Sequence, residues 1–165
     1  MSGGQHVVSV DEQTAVALDR ASLAGVAAAV LRAEGVRGPV ELGLRFVDEA
    51  AMTELHHRHL DGEGPTDVLA FPLDAPGPTP GAASGGPAVD PELPTLVGDV
   101  VICPAVAERN ATARHQATAD ELALLVVHGT LHVLGWDHAG PDEEAAMWSR
   151  QQQLLERCHR RPPGR

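Results

Sequence analysis

The sequence predicts an α+β fold in which a small mixed β-sheet is covered by helices. Three segments between residues 39 and 103 are typical of strands, and the first of them alternates apolar and polar residues with period two. Helical periodicity is found among them, and after residue 104 it is the only pattern. Strands mixed with helices and followed by helices alone are typical of an α+β domain, and 165 residues is close to the usual size of one domain.

The first half of the chain begins with a helix, a strand and a second helix. Ser22 precedes apolar residues at helical spacing, which predicts an amphipathic helix over 22–34. Alternation in PVELGLRFV predicts a strand at 39–47. Asp48 can then cap a helix that ends at about residue 59.

Two further strands are predicted at 65–73 and 95–103. The segment 74–94 between them is so rich in Pro and Gly that no packed element would offset the entropy of ordering it. We therefore expect residues 1–165 to form one domain that carries a flexible loop at about 74–94.

The second half is predicted to be helical. Pro104 can open one helix, and Thr118-Ala-Asp-Glu121 is the pattern of a capping box that opens another. Pro141 begins a third helix that ends near Cys158, and a disordered tail follows from about residue 160.

The composition argues against a protein whose whole surface attracts nucleic acid. Acidic residues outnumber basic ones by 23 to 12, which gives a formal net charge of −11. Every basic residue is an arginine, which can bind phosphate through two hydrogen bonds where several converge. The charge counts against a nucleic-acid substrate, so any RNA binding must be local and shape-based or assisted by a partner, and no DNA partner is expected.

The absence of targeting and membrane-spanning patterns predicts the compartment of the protein and the redox state of its cysteines. It has no signal-peptide pattern and no stretch that reaches the roughly 20 apolar residues needed to span a bilayer. We therefore expect a cytoplasmic protein without a membrane partner. Cys103 and Cys158 are expected to be free thiols, because cytosolic proteins seldom form disulfides.

The most informative segment runs from His128 to His138. His128 and His132 are four residues apart, so on a helix both imidazoles project from one face and can bind one metal ion. Gly135 can stop that helix and let the chain reverse, which would return His138 to the same point. Three neutral imidazoles without a fourth protein ligand describe a catalytic zinc site, whose open position holds water.

Other roles for these histidines remain open at this stage. With nine histidines in the chain, an HxxxH pair alone is weak evidence, and two hydrogen-bonded core histidines would give the same pair. A metal is favoured because the surrounding helix is apolar nearly all round, and burial of imidazoles carries a desolvation cost that a metal relieves. A structural zinc site would usually have cysteine ligands, and both cysteines are far from the motif in sequence.

The spacing of the three histidines is also that of the metzincin proteases. In those enzymes the residue after the first histidine is the glutamate that acts as general base. Here that residue is Gly129. Peptide hydrolysis would therefore lack a proton shuttle that is typically worth about 10²–10⁴ in rate.

Three runs of residues resemble the YbeY family of endoribonucleases. They are His128-Gly-Thr-Leu-His-Val-Leu-Gly-Trp-Asp-His138, Pro65-Thr-Asp-Val-Leu-Ala-Phe-Pro72 and Gly98-Asp-Val-Val-Ile102. The resemblance implies an α+β fold and one Zn²⁺ ion held by His128, His132 and His138. It also implies cleavage of single-stranded RNA, a role in 16S rRNA 3′-end maturation and ribosome quality control, and a partner in the small ribosomal subunit or its proteins.

Two further residues are predicted to take part in catalysis. Many family members have an arginine where this chain has Leu60, and Arg58 could replace it, although a solvated arginine at a helix end is an equal alternative. Asp137 adjoins His138 and could orient it, but an aspartate there more often caps the turn after a helix.

Two other functions compete with the endoribonuclease. One is a non-catalytic ribosome-assembly factor in which zinc stabilises the fold, which the net charge and the absent arginine favour. The other, and the less favoured, is a metallopeptidase, against which Gly129 argues.

Overall fold

The computed structural model describes residues 6–60, 62–73, 95–136 and 140–160. The whole predicted loop at 74–94 and most of the predicted tail from about residue 160 lie outside these ranges, and the one-domain organisation stays a prediction. Within them no helix is both long and apolar enough to cross a membrane.

The described ranges contain four strands, five α-helices and a final π-helical turn. The strands are β1 (His6–Gln13), β2 (Val40–Val47), β3 (Val68–Pro72) and β4 (Thr95–Ile102). The helices are α1 (Arg20–Ala33), α2 (Glu49–Leu60), α3 (Pro104–Ala113), α4 (Thr118–Val133) and α5 (Pro141–Leu155), which the π-helical turn Glu156–Arg160 follows. These elements confirm the predicted α+β fold.

The four strands form one mixed sheet in the order β1-β2-β4-β3. β1, β2 and β4 are parallel, and β3 pairs antiparallel with β4. The edge strand β1 was not predicted from the sequence. Its residues alternate between half-buried and exposed, and a strand paired on one side only needs little apolar surface to hold its place.

Helices pack on both faces of the sheet. The main core lies between one face and α1, α4 and α5, where the largest fully buried side chains include Phe46, Leu31 and Leu131. A smaller apolar cluster lies on the other face, where Met52 of α2 packs near Val101 of β4. Most of α4 is therefore buried, as predicted, and between Glu121 and Val133 only one stripe of side chains stays partly accessible.

Two predicted helix starts were wrong. Asp19, and not Ser22, caps α1, because the Asp19 side chain accepts a hydrogen bond from the Ser22 backbone N–H at 3.1 Å. The capping box at the start of α4 does not form. Ala117 is the N-cap residue, and Glu121 instead accepts hydrogen bonds from Gln116 at 2.7 Å and from Arg114 at 3.2 Å.

Both cysteines are free, as predicted. Cys103 is fully buried at the N-cap position of α3, and Cys158 lies half-buried in the π-helical turn. Burial raises the pKa of each thiol above its ordinary value, because the thiolate is poorly solvated there. Neither residue therefore has the environment of a reactive cysteine.

Candidate metal centre

The exposed side of α4 is a single stripe of side chains. Between Glu121 and Val133, only Leu124, His128 and His132 are half-buried, while every other residue is buried. Their spacing of four residues places them one above another on one face of the helix. The two histidines therefore face the one side of α4 that the protein leaves accessible.

The two imidazoles meet through the same ring atom. Nε2 of His132 lies 3.1 Å from Nε2 of His128, and the rings meet edge to face with centroids 4.5 Å apart. Two nitrogen ligands of one tetrahedral zinc ion, each about 2.0–2.1 Å from the metal, are about 3.3 Å apart. The pair is therefore spaced as two ligands of one such ion would be, and the same distance also suits a shared proton.

Gln151 of α5 fixes the orientation of His128. Nδ1 of His128 donates a hydrogen bond to Oε1 of Gln151 at 2.8 Å, and Gln151 is only 4% exposed. With the proton on Nδ1, the lone pair on Nε2 is directed at His132. Metal-binding histidines commonly use their other ring nitrogen in this way, which sets the tautomer and the ring orientation.

The helix that carries the pair ends in the predicted glycine turn. Gly135 has a φ of 100°, which a side chain would disfavour. Its N–H donates to the His132 carbonyl at 3.0 Å, and the Trp136 N–H donates to the Leu131 carbonyl at 3.0 Å. These two hydrogen bonds form a Schellman motif, which turns the chain away from the helix axis directly after the second histidine.

The third predicted ligand lies just beyond this turn. His138 and Asp137 are outside the described residues. Within the described parts of the chain, no group of three or more His, Cys, Asp or Glu side chains is placed to hold a metal ion. The convergence of His138 on the pair, and the role of Asp137, stay predictions.

One carboxylate of α1 binds both the end of α4 and the middle of α5. Glu34, at the C-terminal end of α1, accepts a hydrogen bond from the indole Nε1 of Trp136 at 3.0 Å. Its other oxygen accepts from Nε of Arg150 in α5 at 2.5 Å. The end of α4 and the middle of α5 are therefore tied to the same point of α1.

Gly129 brings α4 directly against the sheet. A Cβ at this position would lie 2.4 Å from Cγ1 of Val100 and 3.3 Å from Cγ2 of Val68. The residue that would be the catalytic glutamate of a metzincin therefore faces β3 and β4, on the buried side of the helix. A glutamate at this position would therefore collide with the two valines in the packing that the structure shows.

Two clefts adjoin the candidate centre. One has a volume of about 440 Å³, and its lining includes Asp67, Arg114 and Glu121. The other, of about 510 Å³, extends along the first turns of α5. His128, Trp148 and Gln151 line both clefts, so these three side chains form the ridge that separates them.

Arg58 lies apart from these clefts in the structure. It is on the exposed side of α2, where its Nη2 donates to Oε1 of Glu54 at 2.7 Å, and it is not among the residues that line the two clefts. Both side chains of this ion pair are about two-thirds exposed, at 65% and 67%. A catalytic role for Arg58 stays a prediction.

Gln151, Glu34 and Trp148 were not identified from the sequence. A signal for Gln151 was present, because it shares the helical stripe of Met147 and Leu154, where only apolar residues are expected. A polar residue in a buried stripe needs a partner, which here is His128. Glu34 had no such signal, since its partners are more than 100 residues away in sequence.

Comparisons with a family profile and with individual proteins identify the same family. The profile of the family described as endoribonuclease YbeY matches residues 8–159. A protein named endoribonuclease YbeY from Salinispora tropica is 43% identical over 152 residues, which cover 90% of this chain and 93% of that protein. Its namesake from Beutenbergia cavernae is 44% identical over 146 residues, which cover 88% of this chain and 93% of the relative.

A solved structure shares the fold at lower sequence identity. The solution structure of TM1509 from Thermotoga maritima superposes with a TM-score of 0.56 at 20% identity, covering 96% of this chain and 99% of that one. This likeness supports the arrangement of helices and strands and carries no conclusion about activity.

Proposed function

The chain belongs to the endoribonuclease YbeY family, and from that premise we propose that it is a zinc-dependent endoribonuclease specific for single-stranded RNA. The observation that carries the metal part is the meeting of two imidazole Nε2 atoms at 3.1 Å beside two clefts. The resemblance of the motifs supports a role in 16S rRNA 3′-end maturation and ribosome quality control, in the cytoplasm and in contact with the small ribosomal subunit.

In this proposal each residue of the centre has one task. His128 and His132 bind the ion through Nε2, and His138 supplies the third nitrogen from the segment after the glycine turn. Gln151 holds the proton of His128 on Nδ1, so that Nε2 stays available as a ligand. When bound, the zinc ion supplies Lewis acidity for cleavage of the phosphodiester.

The proposal is tested by RNA cleavage together with metal analysis. Protein purified without chelator should contain about one zinc ion per chain and should cleave single-stranded RNA in preference to a matched duplex. Removal of the metal should stop cleavage, and addition of Zn²⁺ should restore it. Intact RNA with the fully loaded protein would refute the catalytic proposal.

The chemistry of the product ends separates two routes. Ends that carry a 2′,3′-cyclic phosphate require attack by the ribose 2′-OH, whereas 5′-phosphate ends require attack by water. The same RNA can be used for both assignments, with the ends identified by mass spectrometry.

The net charge of −11 favours a second function, in which the chain is a non-catalytic assembly factor and zinc stabilises the fold. That function predicts that metal removal unfolds the protein and that the loaded protein never cleaves RNA. Circular dichroism of the metal-free protein, measured beside the cleavage assay, distinguishes it from the catalytic function.

Gln151 offers a test that needs no RNA. Gln151→Leu should weaken zinc affinity about 10- to 100-fold, because the proton on Nδ1 of His128 loses its acceptor. Competition with a chromophoric chelator measures this affinity directly. Gln152→Leu, one position further on the same helix, is the matched control, and an equal loss in both variants would contradict the role of Gln151.

A catalytic role for Arg58 can be tested by comparing its own substitution with that of its ion-pair partner, Glu54. If Arg58 replaces the arginine absent at position 60, Arg58→Ala should lower cleavage about tenfold without a change in stability, since a surface pair of this kind is worth about 0.3–0.5 kcal/mol. Glu54→Ala removes the same ion pair and keeps the arginine, so its cleavage rate should not fall. Equal rates in Arg58→Ala and the wild type would assign Arg58 to the solvated surface.

A further inference from the structure

We propose that Trp148 is a stacking platform for one unpaired base of the RNA, placed beside the two histidines. This inference rests on the proposed function and adds a binding mode to it. Trp148 is 60% exposed, more than the other large hydrophobic side chains found exposed in the described ranges. Isolated exposed apolar residues are common on protein surfaces, so the position of Trp148 carries the argument.

Trp148 lies one helical turn before the residue that holds His128. Side chains three residues apart on a helix are neighbours, with Cβ atoms about 5–6 Å apart, which places Trp148 beside Gln151. Gln151 in turn accepts the hydrogen bond from His128. Because these three residues line both clefts, a base on the indole would lie at the entrance to the candidate centre.

The charged residues beside His128 favour base stacking over contacts to phosphate. Asp67, Asp120 and Glu121 line the cleft of about 440 Å³, and the guanidinium of Arg114 in the same cleft is already bound to Glu121 at 3.2 Å. Attraction of the phosphate backbone is therefore weak in this region. Stacking of a base on an aromatic ring needs no net charge and tolerates every base.

The second tryptophan has a different environment. The indole N–H of Trp136 donates to Glu34, and the residue packs against the main core. Trp136 is therefore part of the structure that holds the turn after α4. Of the two tryptophans, Trp148 is the one whose ring is available to a ligand.

The test is equilibrium binding of the zinc-loaded full chain to a fluorescent, single-stranded 2′-O-methyl RNA. Trp148→Ala should weaken binding about 5- to 150-fold, the range for loss of one stacked base. Trp148→Phe should retain most of the affinity, because a phenyl ring still stacks. Leu96→Ala removes exposed apolar surface from β4 and should bind as the wild type does.

Stacking has two signs that a structural role would not produce. The affinity ratio of wild type to Trp148→Ala should stay constant between low and moderate salt, because stacking releases no counterions. The bases of the RNA can also be replaced one at a time by abasic sites. At one position this replacement should lower the affinity of the wild type as much as Trp148→Ala lowers it. The affinity of Trp148→Ala should not fall further when the RNA carries that same abasic site.

The outcomes separate the inference from the function on which it rests. If wild type binds and cleaves RNA and Trp148→Ala binds equally well, the stacking platform is refuted while the nuclease stands. If Trp148→Ala keeps its affinity for single-stranded RNA but loses association with small ribosomal subunits, the ring contacts the assembled subunit and not an unpaired base, which also refutes the platform. If the wild type neither binds nor cleaves RNA, the proposed function fails and the inference fails with it.

Discussion

His128→Ala and His132→Ala are each expected to lower zinc content from about one ion per chain to less than about 0.1 and to reduce RNA cleavage at least about a thousandfold. Each change removes one of two nitrogen atoms that meet at 3.1 Å, and two remaining imidazoles bind zinc far more weakly than three. Elemental analysis and single-turnover cleavage measure the two effects in the same preparation.

His57→Ala is the matched control, because His57 is exposed on α2 and its loss changes the histidine count equally. It should keep wild-type zinc content and cleavage. Thermal unfolding of His128→Ala should match that of metal-free wild type, which would separate a lost ligand from a lost fold. Full zinc content in either ligand variant would contradict the assignment of the centre.

Gly129→Val is expected to lower the free energy of unfolding by about 3 kcal/mol, because its side chain would occupy the space that Val100 and Val68 already fill. Gly129→Ala adds one carbon and should be destabilising by about 1–2 kcal/mol, even though alanine favours helices by about 1 kcal/mol over glycine. Both neighbours are β-branched, so their χ1 angles give way only at a cost. Urea unfolding followed by circular dichroism measures these differences.

Gly25→Ala provides a control of opposite sign. Gly25 lies in the interior of α1, and a Cβ there would have no atom within 4 Å. This substitution should raise the free energy of unfolding by about 0.5–1 kcal/mol, the gain in helix propensity alone. If Gly129→Ala were stabilising by the same amount, the close packing of α4 on the sheet would be refuted.

The same packing bears on the metallopeptidase alternative. Gly129→Glu would place a carboxylate against two valines, and a buried carboxylate without a partner strongly destabilises a fold. The variant should therefore lose stability and gain no peptidase activity toward unstructured peptides. The spacing of three histidines alone does not distinguish this family from the metzincins, but the residue after the first histidine does, because Gly129 supplies no carboxylate.

Local patterns in the chain were sufficient for most elements of the fold. Helices α2 and α3 begin at the predicted residues, since Asp48 accepts from the Ala51 backbone N–H at 2.8 Å and Pro104 opens its helix. The glycine turn after α4 was also predicted, because Gly135 takes the positive φ that its position requires. These features depend on residues within a few positions of one another, which the order of amino acids records directly.

Features that depend on partners outside the element itself were missed or misjudged. β1 was missed because its only strand partner among the described residues is β2, which begins at Val40, 27 residues after β1 ends at Gln13. The capping box failed because Glu121 finds Arg114 and Gln116 across the preceding turn, and that contact replaces the cap. A short motif records only what one segment can form and does not record which competing partner a side chain will take.

The sequence by itself determined the pair of histidines on one helical face, the glycine that ends their helix and the family to which the motifs point. Only the tertiary structure decided that Gln151 orients His128, that Gly129 is pressed against the sheet and that Trp148 stands on the ridge between two clefts. The physical reason is that helical periodicity sets which side chains share a face, whereas what that face meets is set by the packing of elements far apart in the chain.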